Sequence, residues 1–94
     1  MTIRYIVKDT IVHGNLDLDG TTQRLETDVV CKSVTIQANP NNVGDVYLGG
    51  AGTTASVHGV VLVKGSSLTL DIKNVNLIYV FGTSGDKVSY ILER

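Results

Sequence analysis

Apolar and polar residues alternate along most of this chain. The clearest stretch is residues 32–50, where Val34, Ile36 and Ala38 alternate with Ser33, Thr35 and Gln37. A period of two with one apolar face describes a half-buried strand. Asn39-Pro40-Asn41-Asn42 stops the run, because proline offers no N–H to a ladder and both residue types favour turns. Asp45-Val46-Tyr47-Leu48 resumes an extended run, and Gly49-Gly50 ends it. Two such runs around a polar turn predict a β-hairpin over 29–48.

The flanks follow the same grammar. Residues 3–13 are rich in β-branched side chains and predict one strand at 3–7 and a second at 10–13, separated by Lys8-Asp9 and broken by Gly14-Asn15. Leu16 to Asp19 alternates again and ends in the turn dipeptide Asp19-Gly20. Residues 21–28 hold one apolar side chain, Leu25, and predict either a loop or an edge strand with Leu25 turned inward. Residues 49–59 are small, polar and glycine-rich, the composition of a long surface loop. Val60 to Val63 predicts a strand, and Lys64-Gly65 a turn. Leu68, Leu70 and Ile72 share one face of the next strand, and Lys73-Asn74 turns again. Val75 to Phe81 is nearly all apolar and predicts a central strand covered on both faces. Gly82-Thr83-Ser84-Gly85 predicts a hairpin loop before a last strand carrying Val88, Tyr90 and Leu92.

No window shows helical period with caps. About seven to nine short strands with regular turn signals predict an all-β fold: a single antiparallel β-sandwich, jelly-roll-like or a small barrel, in one domain spanning residues 1–94. Ile36, Val46, Leu70 and Val80 are its expected core.

Composition narrows the function. With 94 residues the chain can bury somewhat more than about 60% of its unfolded surface. Apolar residues make up 43%, which argues against disorder. Eight basic residues balance nine acidic ones and Trp is absent, so neither an electrostatic footprint nor a stacking surface for nucleic acid is visible. The single cysteine, Cys31, follows Val29-Val30 and reads as a small core hydrophobe. No stretch approaches the roughly 20 apolar residues of a membrane span, and Met1 to Arg4 lacks the form of a signal peptide. The expectation is synthesis and first use in a reducing cytoplasm.

The chemistry-bearing residues form few constellations. Asn15, Asp17, Asp19, Gly20 and Glu26 match positions 1, 3, 5, 6 and 12 of a calcium loop, whose converging oxygens suit a hard cation. The flanks read as strands, however, and Leu16 and Leu18 alternate with the carboxylates. A strand with Asp17 and Asp19 on its wet face, followed by a turn, explains the same residues. His13 and His58 lie in different segments without further zinc ligands nearby. Gly49-Gly50-Ala51-Gly52 lacks the Lys-Ser/Thr sequel of a phosphate loop. No nucleophile–base pair is visible, so the expectation is no enzyme, no cofactor and no metal. Tyr5, Tyr47, Tyr79 and Tyr90 fall in strands, either packed at the core edge or serving an interface or a sugar-stacking surface. Tyr5, Ile11, Tyr47 and His58 are the candidate interface residues.

The run from Cys31 to Gly50 resembles a "k-S-V-x-I-x-A-x-P-x-N-x-G-x-V-Y-V-G" pattern of small virion-associated proteins of tailed bacteriophages and prophages. Gly59 to Leu70, Leu77 to Gly82 and Val88-Ser89-Tyr90 follow in the order of that pattern. The resemblance covers residues 22–92 and leaves out the first 20. It implies a structural virion protein, a capsid decoration or cement protein that stabilises the head by binding the major capsid protein. The alternative is a tail- or fibre-associated module contacting host-surface glycan. The expected location is the virion, after synthesis in the bacterial host. A β-prone segment over 3–13 at an uncovered edge predicts a homo-oligomer, and threefold sites on an icosahedral shell favour a trimer. Nucleic acid and membrane are not expected partners.

Overall fold

The structure is a computed structural model and describes residues 10–93. The strand expected over 3–7, and Tyr5 with it, lies outside the described residues. Eight strands follow in order: β1 (Ile11–Asp17), β2 (Gln23–Arg24), β3 (Ser33–Ala38), β4 (Val46–Gly49), β5 (Val60–Leu62), β6 (Ser67–Asp71), β7 (Tyr79–Phe81) and β8 (Lys87–Glu93). A short 3-10 turn over Val75–Leu77 sits between β6 and β7.

Two four-stranded antiparallel sheets result. The first has the order β1-β8-β3-β6, the second β2-β7-β4-β5. Four of the pairings, β1 with β8, β2 with β7, β3 with β6 and β4 with β5, nest inside one another. The chain is one long antiparallel ribbon whose tip is the β4–β5 connection. It wraps so that β8 also meets β3 and β7 also meets β4. This is the jelly-roll arrangement of a β-sandwich.

Two expected hairpins are replaced by crossings. β3 and β4 lie in different sheets, so residues 29–48 do not form a hairpin, and the Gly82–Gly85 loop likewise carries the chain from one sheet to the other. The physical reason is a polar knot where the crossings meet. The buried Asp86 carboxylate accepts the N–H groups of Val43 and Gly44, both at 2.8 Å. The buried Asn42 amide donates to the Lys87 carbonyl and accepts its N–H, again at 2.8 Å. These bonds satisfy an arch between sheets that a tight turn could not span.

Alternation sets the core. Val34, Ile36 and Ala38 of β3 meet Val46 and Leu48 of β4, Val80 of β7 and Val88, Tyr90 and Leu92 of β8, all under 6% exposed. Ile36, Val46 and Val80 are fully buried, and Leu70 is half-buried against the same cluster. Cys31 is buried there too, its thiol donating to the Ile72 carbonyl at 3.1 Å, and burial pushes its pKa up. Leu25 is turned inward beside the two-residue β2.

Two further expectations need correction. β1 runs unbroken through Gly14-Asn15 because Gly14 is there to admit the ring of Tyr90, not to end a strand. The apolar run from Val75 is not one covered strand. Asn74 caps the 3-10 turn by accepting the Asn76 N–H, and only Tyr79–Phe81 is extended. β7 is central in its sheet, yet Tyr79 and Phe81 stand half-exposed on the outer face.

Candidate functional site

Three surfaces could carry function. On the outer face of the second sheet, Tyr47 of β4 lies opposite Phe81 of β7, with ring centroids 6.3 Å apart. His58 folds back from the β4–β5 loop and its ring centroid stands 4.8 Å from that of Tyr47. Thr53, buried under this loop, donates its hydroxyl to the Gly50 carbonyl at 2.6 Å and accepts the Thr22 hydroxyl at its own carbonyl. Nδ1 of His58 lies 3.2 Å from the Thr54 carbonyl. One strand further out, the Arg24 guanidinium sits over the Tyr79 ring and donates to its hydroxyl at 2.9 Å.

A shallow trough of about 590 Å³ opens at one end of this face. Tyr47 and Phe81 line it, with Asp45, Thr83 and the backbone of Gly44 and Gly82 around them. Both glycines are forced by packing. A Cβ at Gly44 would stand 2.6 Å from Thr83 Oγ1, and one at Gly82 would stand 2.5 Å from Leu18 Cδ1.

The second surface is the outer face of the first sheet. His13, Asn15, Ser89, Gln37 and Ser67 line a depression of about 410 Å³ there, next to Ile91. The Thr35 and Thr69 hydroxyls share a hydrogen bond of 2.9 Å across it. This face is polar except for Ile91 and Ile11, which are exposed.

The third surface is the open seam of the sandwich between the edge strands β5 and β6. Leu48, Leu68, Leu70, Ile72, Leu77 and Ile78 line an apolar groove of about 280 Å³. Val60 extends this apolar edge to the surface, while Val61 stands exposed on the outer face opposite Tyr47.

The candidate interface residues therefore divide. Tyr47 and His58 are brought together, while Ile11 lies on the opposite sheet. Tyr79, singled out with the other strand tyrosines, joins Tyr47 on this face, and so do Phe81, Arg24 and Asp45, which the sequence did not mark. The calcium-loop residues do not converge. Asn15 and Asp17 lie along β1, and the exposed Asp17 carboxylate pairs with Lys87 at 2.6 Å. Asp19 accepts the hydroxyl and N–H of Thr21, which lower its pKa. Glu26 accepts the Thr27 N–H and the Tyr90 hydroxyl, which lower its own. Among the described residues no three His, Cys, Asp or Glu side chains are grouped to hold a metal ion, and no helix is long and apolar enough to cross a membrane.

No family model and no curated protein matches the chain. Among solved structures it is similar to a protein described as "Bacillus endospore appendages form a novel family of disulfide-linked pili". The likeness has a TM-score of 0.50 and 15% identity, over 99% of this chain and 98% of that one. At that identity it speaks for the shared β-sandwich fold alone.

Proposed function

We propose that this protein is a structural subunit of a tailed-phage particle, a decoration protein that binds the capsid surface and stabilises the head. The observation that carries the reading is the seam between β5 and β6. Leu68, Leu70 and Ile72 face the core yet remain half-buried, and Val60 and Leu77 stand exposed beside them. A core that runs out to solvent along a strand edge that no other described residue covers favours a protein neighbour that covers it. The ordered motifs over residues 22–92 support a virion setting. The similar pilus protein contributes the shared sandwich fold alone. Its disulfide linkage has no counterpart in the described residues, because the single cysteine, Cys31, is buried.

In this reading the free protein self-associates through the seam, most directly as a trimer. Analytical ultracentrifugation at micromolar concentration tests it. The trimer would sediment at about 30 kDa, three times the 10.1 kDa chain. Changing the exposed Val60 and Leu77, which line the seam, to Asp would return it to monomer. A wild-type protein that is monodisperse at 10.1 kDa would refute self-association.

A further inference from the structure

We infer that the trough floored by Tyr47 and Phe81 is a binding site for a neutral pyranose unit of a surface glycan. The inference stands apart from the structural reading, because it uses the face of the second sheet rather than the seam.

The first observation is where the aromatic residues go. Among the described residues the aromatic side chains are Tyr47, Tyr79, Phe81 and Tyr90, and only Tyr90 enters the core. The other three share one outer sheet face. A chain so poor in aromatics gains most in stability by burying them, since each ring carries a large apolar area. Holding three of them half-exposed on one face forgoes that gain, which points to a surface that meets something.

The second observation is the chemistry around the rings. The tilted pair Tyr47 and Phe81 offers an apolar floor that matches the C–H face of a pyranose. Asp45 and the Thr83 hydroxyl stand at the rim. Asp45 is exposed and takes no part in the one ion pair among the described residues, that of Lys87 with Asp17. A carboxylate with unoccupied lone pairs accepts from two neighbouring sugar hydroxyls, and a threonine hydroxyl both donates and accepts. A few convergent polar groups over an aromatic floor are the usual makeup of a small-ligand site, and about 590 Å³ lies inside the range of about 300–1,000 Å³ common for such sites.

Charge selects the class of sugar. No Lys or Arg lines the trough, and its one charged group is Asp45. Uronic or other acidic sugars would meet an unpaired carboxylate, so neutral hexoses and N-acetylhexosamines are preferred. The depression on the opposite sheet has hydroxyls, amides and the His13 imidazole, and its one tyrosine, Tyr90, is buried in the core, which is why the inference attaches to the half-exposed pair Tyr47 and Phe81.

The site is preorganised. Asp86 fixes Val43 and Gly44 on one wall, and Thr53 and Thr22 pin the loop that places His58 against Tyr47. Its shallowness implies weak binding by one copy, which an array of copies on a particle would raise by avidity.

The test is heteronuclear NMR on the full chain. It is titrated to millimolar concentration with neutral hexose and N-acetylhexosamine oligosaccharides, and separately with a uronic-acid oligosaccharide. The expected result is saturable shifts at Gly44–Tyr47, His58 and Phe81–Thr83 with a neutral sugar, and smaller shifts with the uronate. Tyr47→Ala should weaken binding at least about tenfold, as loss of a stacking ring does. Asp45→Ala, at an exposed position that the fold does not depend on, should weaken it several-fold and keeps the test open if Tyr47→Ala fails to fold. His13→Ala, on the other sheet, should change nothing. The inference is overturned by an absence of shifts with every neutral sugar. Shifts confined to the first sheet, binding unaffected by both trough variants, or a trough that responds to a capsid protein and not to sugar would overturn it equally.

Discussion

Tyr90 faces Gly14 across the β1–β8 pair, and its ring fills the space that a side chain at Gly14 would need. A Cβ there would stand 2.6 Å from Cε2 of the ring. The phenol then reaches beyond the first sheet and donates to Glu26 Oε2 at 3.0 Å, on the segment that follows β2 of the second sheet. One buried tyrosine thus ties the two sheets together on the side opposite the open seam.

Gly14→Ala should destabilise the protein by about 1–3 kcal/mol, because the neighbour it meets is a buried ring with little freedom to move. Gly50→Ala is the control, since a Cβ there meets nothing within 4 Å. Its effect should stay within about 0.5 kcal/mol. Urea melts of the two variants check this, and equal effects would contradict the packing described.

Burial and the Glu26 carboxylate push the Tyr90 phenol up to about 12 from an ordinary value of 10.0. A folded-state pKa raised above the unfolded one gives stability that is complete below the unfolded value and lost as pH rises through the folded one. Stability should therefore fall between pH 10 and about 12, by on the order of 2 kcal/mol. Tyr90→Phe should flatten that alkaline limb while lowering stability at neutral pH. Glu26 acts at the other end. The Thr27 N–H and the Tyr90 hydroxyl depress its pKa from 4.5, so its contribution is present above that value and is lost as pH falls below it.

Ile36→Ala and Val80→Ala should each cost roughly 2–4 kcal/mol, because both residues are fully buried. Leu70→Ala should cost less, since Leu70 borders the open seam. Denaturant midpoints should move with unchanged m-values.

Cys31 should resist a thiol reagent in the native protein and react fully after denaturation. Its sulfur is buried, donates to the Ile72 carbonyl, and has its pKa raised by desolvation. Rapid labelling in native buffer, or a cross-linked dimer on a non-reducing gel, would contradict this placement.

Strand phases are legible in the sequence because alternation is a local property. Val34, Ile36 and Ala38 face inward as their spacing requires, and so do Val88, Tyr90 and Leu92. Strand partners are not legible. Asn39-Pro40-Asn41-Asn42 and Gly82-Thr83-Ser84-Gly85 announce that the chain changes direction, but the same dipeptides serve a hairpin and a crossing between sheets. What decides is Asp86, whose carboxylate reaches back 43 and 42 residues to Val43 and Gly44. The site is half legible. Tyr47, Tyr79 and His58 stand out as residues, while the outward placement that Phe81 shares with Tyr79 is hidden inside an apolar run. Their signal is phase: the two rings alternate with the aliphatic Ile78 and Val80, and only the aliphatic phase is buried.

The central claim, that this sandwich is a structural subunit added to a phage head, is tested most directly by cosedimentation. Purified protein is mixed with tailed-phage heads that lack it, and separately with tails. The account predicts saturable, stoichiometric binding to heads, a raised temperature of head disruption, and loss of both when Val60 and Leu77 are changed to Asp. Binding to tails alone, or no binding to either, would contradict it.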